Sequence, residues 1–220
     1  MTTFFVLNAW LIQQMYTRHL EKLEVWLMVN LSLIKTKAPK NICAIDASTN
    51  SIAFSVFHGK DLAYFGKVNF EGKTAYEKVI DASRKLKEFF NIYGDFDSIV
   101  IEHTVFINSP KTAADLALVQ GAILGAAAAN GVNKIGSVSP MTWQNFIGNK
   151  RLTTMEKQEI VKDNPGKSTS WLKAQEREIR KQRTIRFVNV QYDKITTDND
   201  IADAIAIGHW AVNNTEKAFD

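Results

Sequence analysis

The run TTDNDIADAIAIGHW at residues 196–210 sets two carboxylates, Asp200 and Asp203, at the start of an otherwise apolar stretch. Its spacing predicts a helix, capped by Thr197 or Asp198. Three residues turn a helix through about 300°, so Asp200 and Asp203 project side by side. Asp198, two residues earlier and about 200° away, is predicted to point elsewhere, as is His209, about 180° from Asp200. The positive end of the helix accounts for Asp200. It does not account for Asp203, whose neighbours Ile201, Ala202, Ala204, Ile205, Ala206 and Ile207 are all hydrocarbon. A buried carboxylate without a counter-charge is costly, so this segment asks for a cation.

Two further acids end apolar runs: Asp46 in NICAIDAS and Glu102 in SIVIEH. Both runs read as strands. Side chains alternate along a strand, so Ile42, Ala44 and Asp46 share one face and Cys43 and Ile45 the other. Taken alone, Asp46 could begin a turn and Glu102 could face solvent. Four carboxylates at the ends of buried elements are a different matter. Oxygen donors of this kind suit hard divalent ions such as Mg²⁺, and paired ions suit phosphoryl transfer. The combination points to a metal-dependent nuclease.

The order of elements predicts the architecture. NICAIDAS, SIAFSVFHG and DLAYFGKVNF, separated by short polar breaks, read as three antiparallel strands. Residues 73–92 carry helical periodicity, 97–103 form a buried strand, 110–130 a helix of small residues and 133–139 another strand. Pro140 starts a short segment, and Asn164-Pro165-Gly166 splits 150–186 into two helices. The expected fold is α/β, a mixed five-stranded sheet with helices on both faces.

Charge is unevenly spread. The net charge is +4, yet Lys150 to Arg186 holds eleven Lys and Arg against five Asp and Glu, leaving −2 elsewhere. A basic segment beside an acidic cluster fits a polyanion such as nucleic acid, against the plainer reading of a solvated helix face. The single cysteine, Cys43, excludes an intramolecular disulfide and fits a reducing compartment, hence a cytoplasmic location. It reads as a small buried hydrophobe. Residues 1–40 are rich in Phe, Trp, Leu and Met at roughly helical spacing, without the features of a signal peptide or a span. They are expected to form an amphipathic helical extension that packs on the domain or on a partner, with no membrane role. Four scattered histidines and one cysteine make no zinc site, and there is no G-x-x-x-x-G-K-[ST] phosphate loop.

ICAIDAS, IVIEHTVF, the small-residue helix LVQGAILGAAAANG and DNDIADAIAIGHW together resemble the RuvC-like Holliday junction resolvases of the ribonuclease H-like superfamily, over residues 41–214. The resemblance implies that Asp46, Glu102, Asp200 and Asp203 are a catalytic tetrad holding two Mg²⁺ ions, with Mn²⁺ as a substitute. Lys157, in TTMEKQEI, would sit near the scissile phosphate. Phe106 would stack on an opened base, and Lys150, Arg151, Lys173, Arg177, Arg180 and Lys181 would hold the backbone of branched DNA. It further implies a homodimer, and products with a 5′-phosphate and a 3′-hydroxyl. The chain departs from the pattern at Ser48, where a glycine is common, at Val105, one place before the aromatic, and at Trp143-Gln144, where a basic residue is expected. That divergence fits a bacteriophage version acting in the cytoplasm of a bacterial host. The rivals are a ribonuclease H or flap nuclease on the same fold, a sugar-kinase or actin-like ATPase, and a DNA-binding protein without turnover. The ATPase wants a second glycine-rich phosphate turn, which is missing.

Overall fold

Three antiparallel strands make half of the sheet: β1 (Asn41–Ala47), β2 (Ser51–His58) and β3 (Asp61–Asn69). Two parallel strands, β4 (Ser98–Glu102) and β5 (Lys134–Val138), complete it on the other side of β1, in the order β3-β2-β1-β4-β5. The computed structural model describes residues 40–103, 109–193 and 196–219. The extension expected over 1–40, apart from Lys40, lies outside the described residues, as does Phe106.

The turns follow from local chemistry. Ser48 Oγ accepts the backbone N–H groups of Asn50 (3.2 Å) and Ser51 (3.0 Å), which closes the β1–β2 turn without a glycine after Asp46. Gly59, at φ +62°, supplies the left-handed residue between β2 and β3.

Among the described residues, seven helices flank the sheet: α1 (Ala75–Tyr93), α2 (Pro110–Ala129), α3 (Pro140–Phe146), α4 (Thr154–Asp163), α5 (Thr169–Tyr192), α6 (Asn199–Asn213) and α7 (Thr215–Ala218). Thr74 and Glu77 form a capping box on α1, and Thr153 and Glu156 form another on α4. Alternation along the strands sends Cys43, Ile45, Ile99 and Ile101 into a core shared with Leu86, Phe89 and Phe90 of α1 and Val119, Ile123 and Ala127 of α2. Ile42, Ala44 and Val100 enter the opposite core, with Trp143 of α3, Ile185 and Val188 of α5 and Ile205 of α6. Burial pushes the Cys43 thiol up, which keeps it neutral and suits a packing role.

The second helix of the basic segment runs past its last charge, Arg186. The helix α5 reaches Tyr192, because Ile185 and Val188 pin it to the sheet, so it covers the core while presenting its charges outward. Likewise the fold extends past 214: Ala218 of α7 is buried, and a Cβ at Gly136 would meet its carbonyl oxygen at 1.8 Å.

The placement of α6 depends on one close approach. Ser55 Oγ of β2 donates to the carbonyl of Ala204 at 2.8 Å. A Cβ on Gly208 would lie 2.3 Å from the fully buried Phe57 ring and 2.8 Å from Ser55 Oγ. Gly208→Ala therefore forces α6 off the sheet. The expected loss is about 1–3 kcal/mol, the usual scale of overpacking a filled core, read as a lower midpoint in urea with unchanged slope.

Candidate active site

The parallel register pairs Ile45 with Ile101, so Asp46 and Glu102, one step further on, stand at neighbouring strand ends. Both face the α6 side, as Ile42, Ala44 and Val100 do. The acidic first turn of α6 adds Asp200, and the next residue on that stripe is Asp203.

The charges of the other three act on Asp46. Asp46 is held well above the ordinary carboxylate range, by burial first and then by the charges of Glu102, Asp203 and Asp200. Asp203 is pushed up to about 7, again by burial first and then by Glu102, against a hydrogen bond from Thr184 and the charge of Lys181. Burial raises Glu102 as well, opposed by Trp143, whose Nε1 donates to Glu102 Oε1 at 2.8 Å. Like charges in a partly desolvated site repel, and that is how they stand: among the described residues, no three Asp, Glu, His or Cys side chains form a ready metal cluster.

One cation already sits among them. Lys67 Nζ lies 2.5 Å from Asp200 and 3.3 Å from Asp198. The sheet explains its reach. Asp46 pairs across β1–β2 with Ala53, and Ala53 pairs across β2–β3 with Lys67, so the lysine shares a cross-strand row with the tetrad above a small residue. Sequence reasoning passed over Lys67, since nothing local marks it; a drawn register would have found it. Asp198 does not point away as helical arithmetic predicts. It is the N-cap, outside the helix, where it accepts the N–H groups of Asp200 (2.9 Å) and Ile201 (3.1 Å) and shares Lys67.

The basic residues gather beside this edge. A groove of about 440 Å³ is lined by Arg151, Leu152, Lys157, Lys173, Glu176, Arg177 and Arg180. Lys157 pairs with Glu176 at 2.8 Å, while Lys67 meets Asp198 and Asp200. Arg180 links groove and tetrad. Its guanidinium donates to Gln144 Oε1, its carbonyl accepts from Asn149 Nδ2 at 2.8 Å, and its charge is felt together with those of Arg151 and Asp203. Thus Trp143 and Gln144, where a basic residue was expected, hold Glu102 and Arg180 in place. Lys181 is exposed and near enough to lower Asp203, while Lys150 is exposed at the start of the segment. His103 donates its backbone N–H to Val138. His209 packs against Phe146, Phe187 and Tyr192, and its Nδ1 lies 2.5 Å from the Tyr192 hydroxyl, a structural role.

The sheet order, the helices on both faces and the acidic edge define a ribonuclease H-like α/β fold. Within that class the fold is RuvC-like. The chain is similar to the structure titled T. thermophilus RuvC in complex with Holliday junction substrate, with a TM-score of 0.58, 15% identity, and coverage of 81% of this chain and 98% of that one. A second structure of Thermus thermophilus RuvC matches with a TM-score of 0.56 and 16% identity, covering 82% and 98%. No family model matches the chain, and no curated protein matches it by sequence.

Proposed function

We propose that the chain is a divalent-metal-dependent endodeoxyribonuclease that resolves four-way and related branched DNA. The observation that carries this reading is the facing of four carboxylates from β1, β4 and α6 at one sheet edge, beside a groove of cations, on a RuvC-like fold. The donor set fits hard divalent ions: Asp46 and Asp203, buried and raised further by neighbouring carboxylate charge, are relieved by Mg²⁺ or Mn²⁺. Asp46, Glu102, Asp200 and Asp203 would hold the ions. Such ions, when bound, activate water and stabilise the leaving 3′ oxygen. Trp143 fixes the orientation of Glu102, and Lys67 fixes that of Asp200. Arg180 and Lys181 offset phosphate charge between the groove and the tetrad. The test is cleavage of a labelled four-way junction, a linear duplex and an RNA–DNA hybrid, with Mg²⁺ and with chelator. Preferred, chelator-sensitive cutting of the junction, leaving 5′-phosphate ends, is the expected result. Preferred cutting of the hybrid would make the chain a ribonuclease H, and tight binding without cutting a DNA-binding protein.

Two paired cuts require two active sites, and a homodimer supplies them. The face of α2 carrying Gly121 and Gly125 is open: both glycines are exposed, and a Cβ on either meets nothing within 4 Å. Packing against the chain's own sheet, the competing use of these small residues, is therefore not what selects them; Val119, Ile123 and Ala127 make that contact. The helix has mean hydropathy 1.4 with only 17% of its apolar window buried, an apolar surface that a second copy would cover. Gly125→Leu is expected to turn a sedimenting dimer into a monomer at micromolar concentration, with melting temperature unchanged. Loss of the dimer only in a chain begun at Met28 would place the interface in residues 1–27.

A further inference from the structure

The tetrad edge has a second basic hollow, on the other face of the sheet from α4 and α5. It measures about 470 Å³ and is lined in part by Thr49, Lys73, Tyr76, Lys78, Lys111 and Asp115. Thr49 lies in the β1–β2 turn, three residues beyond Asp46. Lys111 is in the first turn of α2, on the chain that leaves β4 beyond Glu102. Lys73 and Lys78 flank the start of α1. Since α1 and α2 pack on the Cys43 and Ile45 face, while α5 and α6 pack on the Ile42 and Ala44 face, the two basic surfaces lie on opposite sides of one catalytic edge.

The charges in this hollow are open to a ligand. Glu77, the nearest acid on α1, is turned into the capping box, accepting the N–H groups of Lys73 (2.6 Å) and Thr74 (3.2 Å). Among the described residues, Lys78 Nζ meets the neutral Asn50 Oδ1, at 2.5 Å. Lys111 pairs with Asp115 at 2.7 Å but its side chain is 82% exposed, so the pair is weak and exchangeable. Three lysines against one acid leave an excess of positive charge, and the Tyr76 ring beside them is 74% exposed. Exposed lysines around a wide hollow suit backbone phosphates, which are read by charge rather than by shape.

A linear duplex seated in the α4–α5 groove follows one face of the sheet. A branched DNA sends arms in different directions from the point of cutting. We infer that the Lys73–Lys78–Lys111 hollow holds the backbone of a second arm of the branched substrate. The inference rests on the proposed junction cleavage and adds to it the device that tells a branch from a linear duplex: one basic surface per arm, on either side of the edge.

The test measures binding of a fluorescent four-way junction and of a linear duplex over a range of NaCl, in chelator, to the full chain and to a Lys73→Gln, Lys78→Gln, Lys111→Gln variant. Junction affinity is expected to fall about tenfold or more and the log–log salt slope by about 2–3, at about 0.9 per phosphate contact. Duplex affinity should stay within about twofold of the unaltered chain. Junction affinity and slope that match the unaltered chain would overturn the inference, and so would an equal loss on both DNAs. Lys73→Glu alone, at an exposed position, gives the same readout should the triple variant melt lower. An unaltered chain that binds both DNAs alike would sink the junction reading and this inference together; one that prefers the junction, beside a triple variant with the same preference, would sink this inference only.

Discussion

Asp203→Asn is expected to abolish cleavage, leave junction binding intact and raise the melting temperature of the metal-free protein. The amide keeps the shape of the carboxylate and removes its charge, so the site loses an oxygen ligand without losing its packing. The expected fall in rate is at least about 10²–10³-fold, the scale of deleting one group that stabilises developing charge. The stability effect has a definite sign. Asp203 is pushed from 3.8 to about 7 in the fold, by burial and then by Glu102. The unfolded chain therefore releases this proton first as pH rises. Stability tied to the neutral acid is complete below about pH 4 and is gone once pH passes about 7. In chelator, the unaltered chain should lose stability across that window, while the Asn variant stays flatter and melts higher at pH 8. At this chain length each kcal/mol relieved moves the midpoint by about 2–4 °C. Divalent ions should remove the difference by stabilising only the unaltered chain. Equal loss of folding and binding in the variant would make Asp203 a structural residue.

Replacing Lys173, Arg177, Arg180 and Lys181 together with Gln is expected to weaken junction and duplex binding alike by about 10²-fold or more and to lower the salt slope by up to about 3.6, four contacts at about 0.9 each. Lys173, Arg177 and Arg180 line one groove, and the charge of Lys181 reaches Asp203, so on the proposed reading they would hold phosphates of the strand being cut. Arg180 is also anchored through Gln144, and this separates it from a solvated lysine on a helix face. The measurement is anisotropy of labelled DNA against salt. An unchanged slope would reduce the segment to a charged surface that holds nothing.

Much of the site was legible before any coordinates. Period-2 alternation placed Asp46 on the face of Ile42 and Ala44, and a three-residue step on a helix placed Asp203 beside Asp200; that Glu102 shares the face of Asp46 came only with the β1–β4 register. Both rules are local, and they survive whatever the rest of the chain does. What escaped is tertiary. Lys67 lies over 130 residues from Asp200, and its role exists only once β1, β2 and β3 are aligned in register. Trp143 and Gln144 looked like a lost basic residue because their partners, Glu102 and Arg180, are 41 and 36 residues away. Asp198 was misplaced for the opposite reason. A helical rule was applied to a residue that precedes the helix and caps it. The helix that carries the basic segment runs on past Arg186, beyond its last charge, where charge counting gives no signal and burial does. Two apolar residues, Ile185 and Val188, decide where α5 goes.

The division of the sheet into two cores has a genetic corollary. The α1–α2 side is filled by Leu86, Phe89, Phe90 and Phe96 packed around Phe54, none of which touches an acid of the tetrad. On the α6 side, the same layer that buries Trp143 and Ile205 also holds Glu102 through Trp143 and carries the helix of Asp200 and Asp203, the proposed metal ligands. In a saturation screen, lesions on the first side should be rescued by growth in the cold or by a global stabiliser, because they lower only the amount of folded protein. Lesions on the second should resist such suppressors and accumulate as abundant, inert protein. The two faces of one five-stranded sheet would then separate into different classes of allele.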